Sequence, residues 1–292
     1  MTTRTSEPVT YAYAVARAHP DLARTLAGHA GVVGAPVHLI AEGEENGDAP
    51  DIVLVVSPAP SADFREEGLR RHLEDLDWLE AVARAHHAIV EEVTALTPAL
   101  PLRLATVYVD DDSARDMLRS AIRVFAERLD HLADQVEWGV KIYVEAAAAT
   151  AESAPESTAS ADMTPGRAYL SARRRQRGDR EAVYRAAQEA AERVADVARA
   201  YATDRAAHRP QQGPLAGDDA GENVFNDAFL VPRGHGEAFR EEAARAGRGL
   251  PGVRVEVTGP WAPYSFAMPP QEATDDEEGT GGTGGAVRGV AP

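Results

Sequence analysis

Two adjacent histidines, three consecutive aspartates, a run of arginines and a single lysine are the residues of this chain whose types could carry chemistry. His86 and His87 are neighbours, so on a helix they diverge by about 100° and cannot hold one metal together, which needs a spacing of three or four. His86 falls on an apolar stripe and reads as a packed, hydrogen-bonded core histidine, with a catalytic role as the sharper alternative. Asp110, Asp111 and Asp112 lack the alternating oxygen ligands and the distal bidentate glutamate of a calcium loop. Helix capping and compensation of the helix dipole explain them more simply. The glycines of "GHAGVVG" and "GTGGTGG" do not have the spacing and the preceding strand of a phosphate loop. A nucleophile elbow and an H-E-x-x-H zinc motif are also missing, so no cofactor and no metal is expected.

Arg173, Arg174, Arg175, Arg177 and Arg180 form the strongest basic feature. Such a cluster is a solvated face with its carboxylate partners, a docking patch for an acidic protein segment, or a nucleic-acid contact. Lys141 is the only lysine among 30 basic residues. It lies in "EWGVKIYV", where Trp138, Val140, Ile142 and Val144 alternate with Glu137, Gly139, Lys141 and Tyr143, the period of a half-buried strand. A desolvated catalytic amine is one reading of such a lysine. A cross-strand ion pair is the other, with Glu256 of "VRVEVTG" as partner, because Glu137 is about 13 Å away along the same strand at 3.3 Å per residue.

These residues need elements to position them. At 292 residues the prior is two domains. No cysteine is present, so disulfides and thiolate metal sites are excluded. The start, "MTTRTSEPVT", lacks an apolar signal region, and "IVLVV" is far too short to span a bilayer. A soluble cytoplasmic protein is expected. The net charge of −17 is concentrated in four stretches that hold 16 of the 47 acids, at 42–51, 146–165, 211–222 and 272–278, leaving 31 acids against 30 bases. The folded parts are therefore nearly neutral and poorly suited to nucleic-acid phosphates.

Strands are expected at 10–16, 37–42 and 51–57, the last two as a hairpin, and at 102–109. A single long helix is expected from Phe64 to Leu96, on the stripe Leu69, Leu73, Leu76, Leu79, Val82, His86, Val90 and Val93. A second helix, capped by Asp112 or Ser113, carries Leu118, Ile122, Phe125, Leu129 and Leu132. Because it links 102–109 to 137–144, those two strands are candidates for parallel neighbours. The segment 146–163 has the low complexity of an insertion, and Thr164–Pro165 opens a helix that Gly178 is expected to interrupt. Beyond it Val183, Ala187, Ala190, Val194, Val197 and Tyr201 form a coiled-coil-like stripe. A strand at 226–231, a helix at 236–247 and a strand at 253–259 follow, an order compatible with an open sheet backed by helices, ferredoxin-like packing being one way to close it.

Taken together, "YAYAV", "AHHAIVEEV", "LPLRLATVYV", "VEWGVKIYV", "GRAYLSARRRQR", "NDAFLV" and "GPWAPYSF" resemble the gas vesicle synthesis protein family GvpF/GvpL, in order from Tyr11 to Phe266. Leu104 and Ala105 stand where the family usually has Phe-Gly, and Ala262 replaces a usual proline. The resemblance implies a two-domain α+β protein: an N-terminal α+β domain (1–135), a C-terminal modified ferredoxin-like domain with a helical extension (136–269), and a disordered acidic, Gly-rich tail (270–292).

The function implied is that of a non-enzymatic accessory or minor structural protein in gas vesicle assembly, which contacts the hydrophobic shell protein and other accessory proteins in the cytoplasm and at the vesicle, with no nucleic acid and no membrane as partner. The runner-up is a small-molecule-binding or enzymatic ferredoxin-like protein. The arginine cluster and Val194 are the candidate partner contacts. Lys141, Trp138, Glu256, Trp261, Tyr264 and Phe266 are assigned structural roles; "GPWAPYSF" is expected to be ordered and to clamp the two domains at their junction, with Trp261 buried.

Overall fold

A computed structural model describes residues 7–42, 52–72, 74–145, 165–211 and 221–267; the side chains at 42, 165–172, 175, 176 and 179 are also outside the described set. The expected insertion at 146–163 and tail at 270–292 therefore lie outside it. The chain divides into two compact units, residues 1–134 with 262–292, and Gln135–Trp261.

The first unit is built on β1 (Val9–Arg17), whose residues from Val9 to Ala16 are all buried. It pairs antiparallel with β3 (Ile52–Ala59) on one side and with the short β4 (Ala99–Pro101) and β5 (Val107–Tyr108) on the other; β2 (His38–Glu42) pairs with β3 as the expected hairpin. Complete burial along one strand requires cover on both faces. Helix α4 (Leu76–Leu96) packs Val82, Ile89, Val90 and Val93 with Tyr11 and Tyr13 on one side. Helix α5 (Asp111–His131) packs over β1, β2 and β3 through Leu118, Ala121 and Leu129. A short α1 (Leu22–Leu26) adds Leu22 and Leu26 to the α4 side.

The expected helix 64–96 is three pieces, α2 (Ser61–Phe64), α3 (Glu66–His72) and α4. Arg65 is extended, and the Asp75 carboxylate accepts a hydrogen bond from the Trp78 N–H at 3.1 Å, so a new helix starts where the apolar stripe runs on uninterrupted. Leu76, at that start, is 75% exposed. The expected strand 102–109 is also broken: residues 104–105 form a turn, and Ala105 takes a left-handed φ of 62°. Glycine adopts that conformation without steric cost, whereas alanine is strained there. The pairing expected between 102–109 and 137–144 does not occur. β5 pairs with β1, and α5 lies on the first sheet, so the strand that follows it opens a separate sheet.

In the second unit the order is β6 (Gln135–Val144), α6 (Pro165–Tyr201), β7 (Asp204–Ala207), β8 (Glu222–Pro232), α7 (Gly236–Arg245) and β9 (Val253–Trp261). The sheet runs β7-β8-β6-β9 with every neighbouring pair antiparallel. Both helices cover one face, burying Val136, Trp138, Val140, Ile142 and Val144 against Val183, Ala187, Ala190, Val194, Phe239 and Ala243. α6 runs through Gly178 without interruption. One glycine on an open helix face costs about 1 kcal/mol relative to alanine, too little to end a 37-residue helix. The sequence signals miss β7, whose four residues are polar or small and half-buried to exposed. Residues 262–267, expected with the second domain, group with the first unit, where Ala262 packs into the α4-side core.

Candidate functional site

α6 has two different halves. From Val183 onward its apolar residues recur at four, three and four, and Val183, Ala187, Ala190 and Val194 form the buried stripe against the sheet. Val194 has no exposed surface, so the expected partner contact at this position is instead core. The stripe is continuous because it packs on β6, β8 and β9, which the periodicity alone does not distinguish from a coiled-coil seam.

Upstream of Val183 the same helix carries the arginines. Arg173, Arg177 and Arg180 share one helix face with Tyr184 at spacings of four, three and four. Arg173, Arg174, Arg177 and Arg180 are exposed, whereas the Arg175 side chain lies outside the described residues. Arg177 approaches Glu181 at 3.7 Å, and the Arg180 guanidinium sits 5.7 Å over the Tyr184 ring. The Tyr184 hydroxyl in turn donates to Glu222. Its hydrogen bond to the Tyr184 oxygen, together with the nearby Glu222 charge, holds the Arg180 pKa above the ordinary value. Among the described residues neither Arg173 nor Arg174 meets a carboxylate. Arg177, Arg180, Glu181, Tyr184 and Arg185 line a groove of about 550 Å³.

The other assigned residues have structural surroundings. Lys141 stands opposite Glu256 in the β6–β9 register, as expected, and opposite Asn226 on β8. Its Nζ nevertheless donates to Gln211 Oε1 at 3.1 Å, while Glu256 pairs with Arg254 at 2.8 Å. Two residues apart on one strand, Arg254 and Glu256 project to the same face, and Arg254 also lies 4.1 Å over the Tyr143 ring. This arginine takes the carboxylate that the sequence reading gave to the lysine.

Trp138 is buried between two glycines. A side chain at Gly236 would come within 3.2 Å of its indole nitrogen; one at Gly259 would come within 3.0 Å of its ring and 2.8 Å of the Glu137 carbonyl. Gly259 also has a φ of 129°, so glycine is required there twice over. Of the three C-terminal aromatics only Phe266 is buried. Trp261 is 42% exposed, contrary to expectation, because it ends an edge strand, and Tyr264, in a short 3-10 turn, is 37% exposed.

His86 is a core histidine. Ala105 N–H donates to the Tyr11 hydroxyl at 3.1 Å, and that hydroxyl lies 3.0 Å from His86 Nδ1. With its oxygen accepting from Ala105, the Tyr11 hydroxyl is placed to donate to Nδ1 of a neutral ring. Burial lowers its pKa to about 4; the nearby Leu102 carbonyl opposes this and His87 adds to it. Nε2 makes no hydrogen bond of acceptable geometry. Tyr13 continues the layer, accepting from Val32 N–H at 2.8 Å and meeting Ser57 Oγ at 2.7 Å.

The aspartates cap. Asp110 Oδ1 accepts from Ser113 N–H at 2.7 Å, and this bond lowers its pKa; the cap is thus Asp110, not Asp112 or Ser113. Desolvation works to raise the Asp111 pKa, but hydrogen bonds from Thr10 and His38 outweigh it and bring it down. Among the described residues no three histidine, aspartate or glutamate side chains gather at metal-binding distance, and no helix is long and apolar enough to cross a membrane. The sequence reading missed Leu104 and Val109, exposed by 43% and 66% around β5. Read as a regular strand, their segment would have buried one of its two faces.

Comparison with known proteins covers almost the whole chain. The family described as gas vesicle synthesis protein GvpL/GvpF matches residues 9–268. Gas vesicle protein L of Streptomyces sp. (strain CB03234) is 39% identical over 271 residues, spanning 93% of this chain and 97% of that relative. Gas vesicle protein F of the same strain is 28% identical over 264 residues, 88% of this chain and 98% of its own length. The crystal structures of the gas vesicle protein GvpF from Anabaena sp. PCC7120 and from Microcystis aeruginosa superpose with a TM-score of 0.58 each, at 15% and 18% identity. They cover 90% and 89% of this chain and 98% and 99% of their own, a likeness of fold.

Proposed function

This chain belongs to the GvpL/GvpF family of gas vesicle synthesis proteins, and from that premise we infer that it is a non-enzymatic accessory or minor structural protein of gas vesicle assembly. Membership itself gives the chain a role in gas vesicle formation. What supports the finer reading is that the match runs through both units, while the residues that could have carried chemistry are occupied with packing and capping: His86 by Tyr11, Asp110 by Ser113, Asp111 by Thr10 and His38. We read the β-α-β-β-α-β second unit as a modified ferredoxin-like domain with the N-terminal half of α6 as its helical extension.

The protein acts in the cytoplasm at the growing vesicle and contacts the apolar shell protein and other vesicle proteins. With Val194 in the core, the apolar contact falls to exposed residues such as Leu104 and Val109, and the polar one to the arginines of α6. Deleting the gene in vesicle-forming cells should abolish or deform vesicles, and Leu104→Asp with Val109→Asp should reduce co-purification of the shell protein without loss of fold. Normal vesicles in the deletion strain, or unchanged co-purification, would refute the corresponding part.

A further inference from the structure

β9 is the last strand of its sheet, whose order is β7-β8-β6-β9, and no further strand lies beyond it among the described residues. Its residues from Val253 to Gly259 are each half-buried. The backbone N–H and C=O groups that alternate away from β6 therefore point outward, a row that another strand can complete. Sheet edges are commonly blunted by short strands or by charges of one sign. β7, at the opposite edge, is four residues long. β9 is nine residues long and carries one charge of each sign, Arg254 and Glu256, on one face.

A strand pairs antiparallel with its own copy about an axis through one residue, because residues that face each other must project to the same side of the sheet. Centred on Arg254, the pair sets arginine against arginine, and centred on Glu256, acid against acid. Centred on Val253 or Val257, neither charge meets its opposite. Centred on Val255, each Arg254 faces Glu256 of the other copy, Val253 faces Val257, and Val255 faces itself. Opposite charges directly across a strand pair stabilise it and like charges destabilise it, so charge selects this register. Pro251 and Pro260, which lack an N–H, fall outside the stretch from Val253 to Val257 and end the ladder on either side.

We propose that β9 pairs antiparallel with β9 of a second copy of this chain, centred on Val255, so that the two four-stranded sheets become one. Lys141 stands opposite Glu256 from the β6 side, and in the joined sheet Arg254 of the second copy stands opposite it from the other. The carboxylate then lies between two cations. The 2.8 Å contact between Arg254 and Glu256 within one strand is shared with its equivalent across the axis. On the other face Val253, Val255 and Val257 already pack partly into the core beneath the helices, and the second copy's valines cover more of their exposed surface. The same patch serves both copies, so the contact closes at two. A single strand pair buries less than a standard interface, which makes the dimer weak and reversible on dilution.

Sedimentation of the purified full chain over a concentration series tests this. The natural chain should pass from monomer to dimer and stop there. Arg254→Glu sets acids opposite acids and Glu256→Arg sets arginines opposite arginines, so each alone should weaken dimerisation roughly tenfold or more, both cross-strand pairs having changed sign. Mixed, the two variants should form a one-to-one pair, because each restores the opposite charge the other needs. A chain carrying both changes should recover most of the natural dimerisation. It keeps an acid and an arginine two residues apart, so it remains decisive if circular dichroism shows that a single reversal disturbs the strand. A natural chain that stays monomeric up to near-millimolar concentration, single variants that dimerise as well as the natural chain, or a mixture and a doubly changed chain that both stay monomeric would each overturn the proposal.

Discussion

The two central strands, β1 and β6, do the same topological job in different surroundings. β1 is buried at every position from Val9 to Ala16, because α4 covers one face of its sheet and α5 packs on it from the other side. β6 buries its even-numbered residues under α6 and α7, while its odd-numbered face carries Lys141 and Tyr143 alongside Arg254 and Glu256. In the sequence the difference appears as "VTYAYAVA", where tyrosine and alanine fill both faces, against the alternation of "EWGVKIYV". A charged residue is accommodated on β6 because one face is not needed for the core. Along its buried length from Val9 to Ala16, the polar side-chain groups of β1 are hydroxyls that find partners, Thr10 on Asp111, Tyr11 on His86 and Tyr13 on Ser57.

Placing charge or removing volume under the covered face of β6 should have the largest effects. Val194→Asp puts a carboxylate among Val183, Ala187 and Ala190 with no partner and should cost 4 kcal/mol or more, on the order of what unfolds a marginal domain. Val124→Asp, at a 40% exposed position on α5, should change stability by less than about 0.5 kcal/mol in the same denaturation experiment. Equal effects would mean that α6 does not pack on the sheet as described. The two tryptophans make a second contrast. Trp138→Ala should cost about 3 to 5 kcal/mol, and Trp261→Ala, whose ring is nearly half exposed, about 1 kcal/mol or less.

His86 separates the first unit from the second by pH. Its folded pKa of about 4 lies below the unfolded value near 6.5, so at neutral pH both states are uncharged and no penalty exists. As pH falls below 6.5 the unfolded chain takes up a proton that the folded chain refuses, and stability declines until about pH 4, by roughly 3 kcal/mol in all. His86→Leu should flatten this window when unfolding is followed from pH 7 to 4; an unchanged slope would assign the loss to other groups. Smallest is Lys141→Glu. With Gln211 as the lysine's partner, the loss should be about 0.5 to 1 kcal/mol, mostly from facing Glu256 across the strands. The double-mutant cycle with Glu256→Lys should give a coupling below about 0.5 kcal/mol in the natural pair, since Arg254 already holds that carboxylate.

Local pattern carried most of the elements and little of the site. The hairpin of β2 and β3, the central strands, the capping role of the aspartate run and the buried place of His86 all follow from period, turn chemistry and spacing, which act within a few residues. The breaks were harder. Asp75 restarts a helix in the middle of an unbroken apolar stripe, and the turn at Ala105 interrupts what alternates like a strand. β7 pairs with β8 without any apolar signal of its own, since backbone hydrogen bonds to a neighbour leave no mark on side-chain type.

What the sequence by itself determined is which residues share a face: Trp138 with Val140 and Ile142, Val183 with Val194, Arg173 with Arg177 and Arg180. What covers each face was decided only by the tertiary structure. A stripe ending in Val194 is the same pattern whether a partner or the chain's own sheet lies over it, and here β6, β8 and β9 do. Register places Lys141 opposite Glu256, but a flexible lysine and a rigid guanidinium two residues away compete for one carboxylate, and distances in three dimensions settle that for Arg254. Trp261 is aromatic enough to be core, yet it ends an edge strand. Burial depends on what the rest of the chain brings alongside, and periodicity is blind to it.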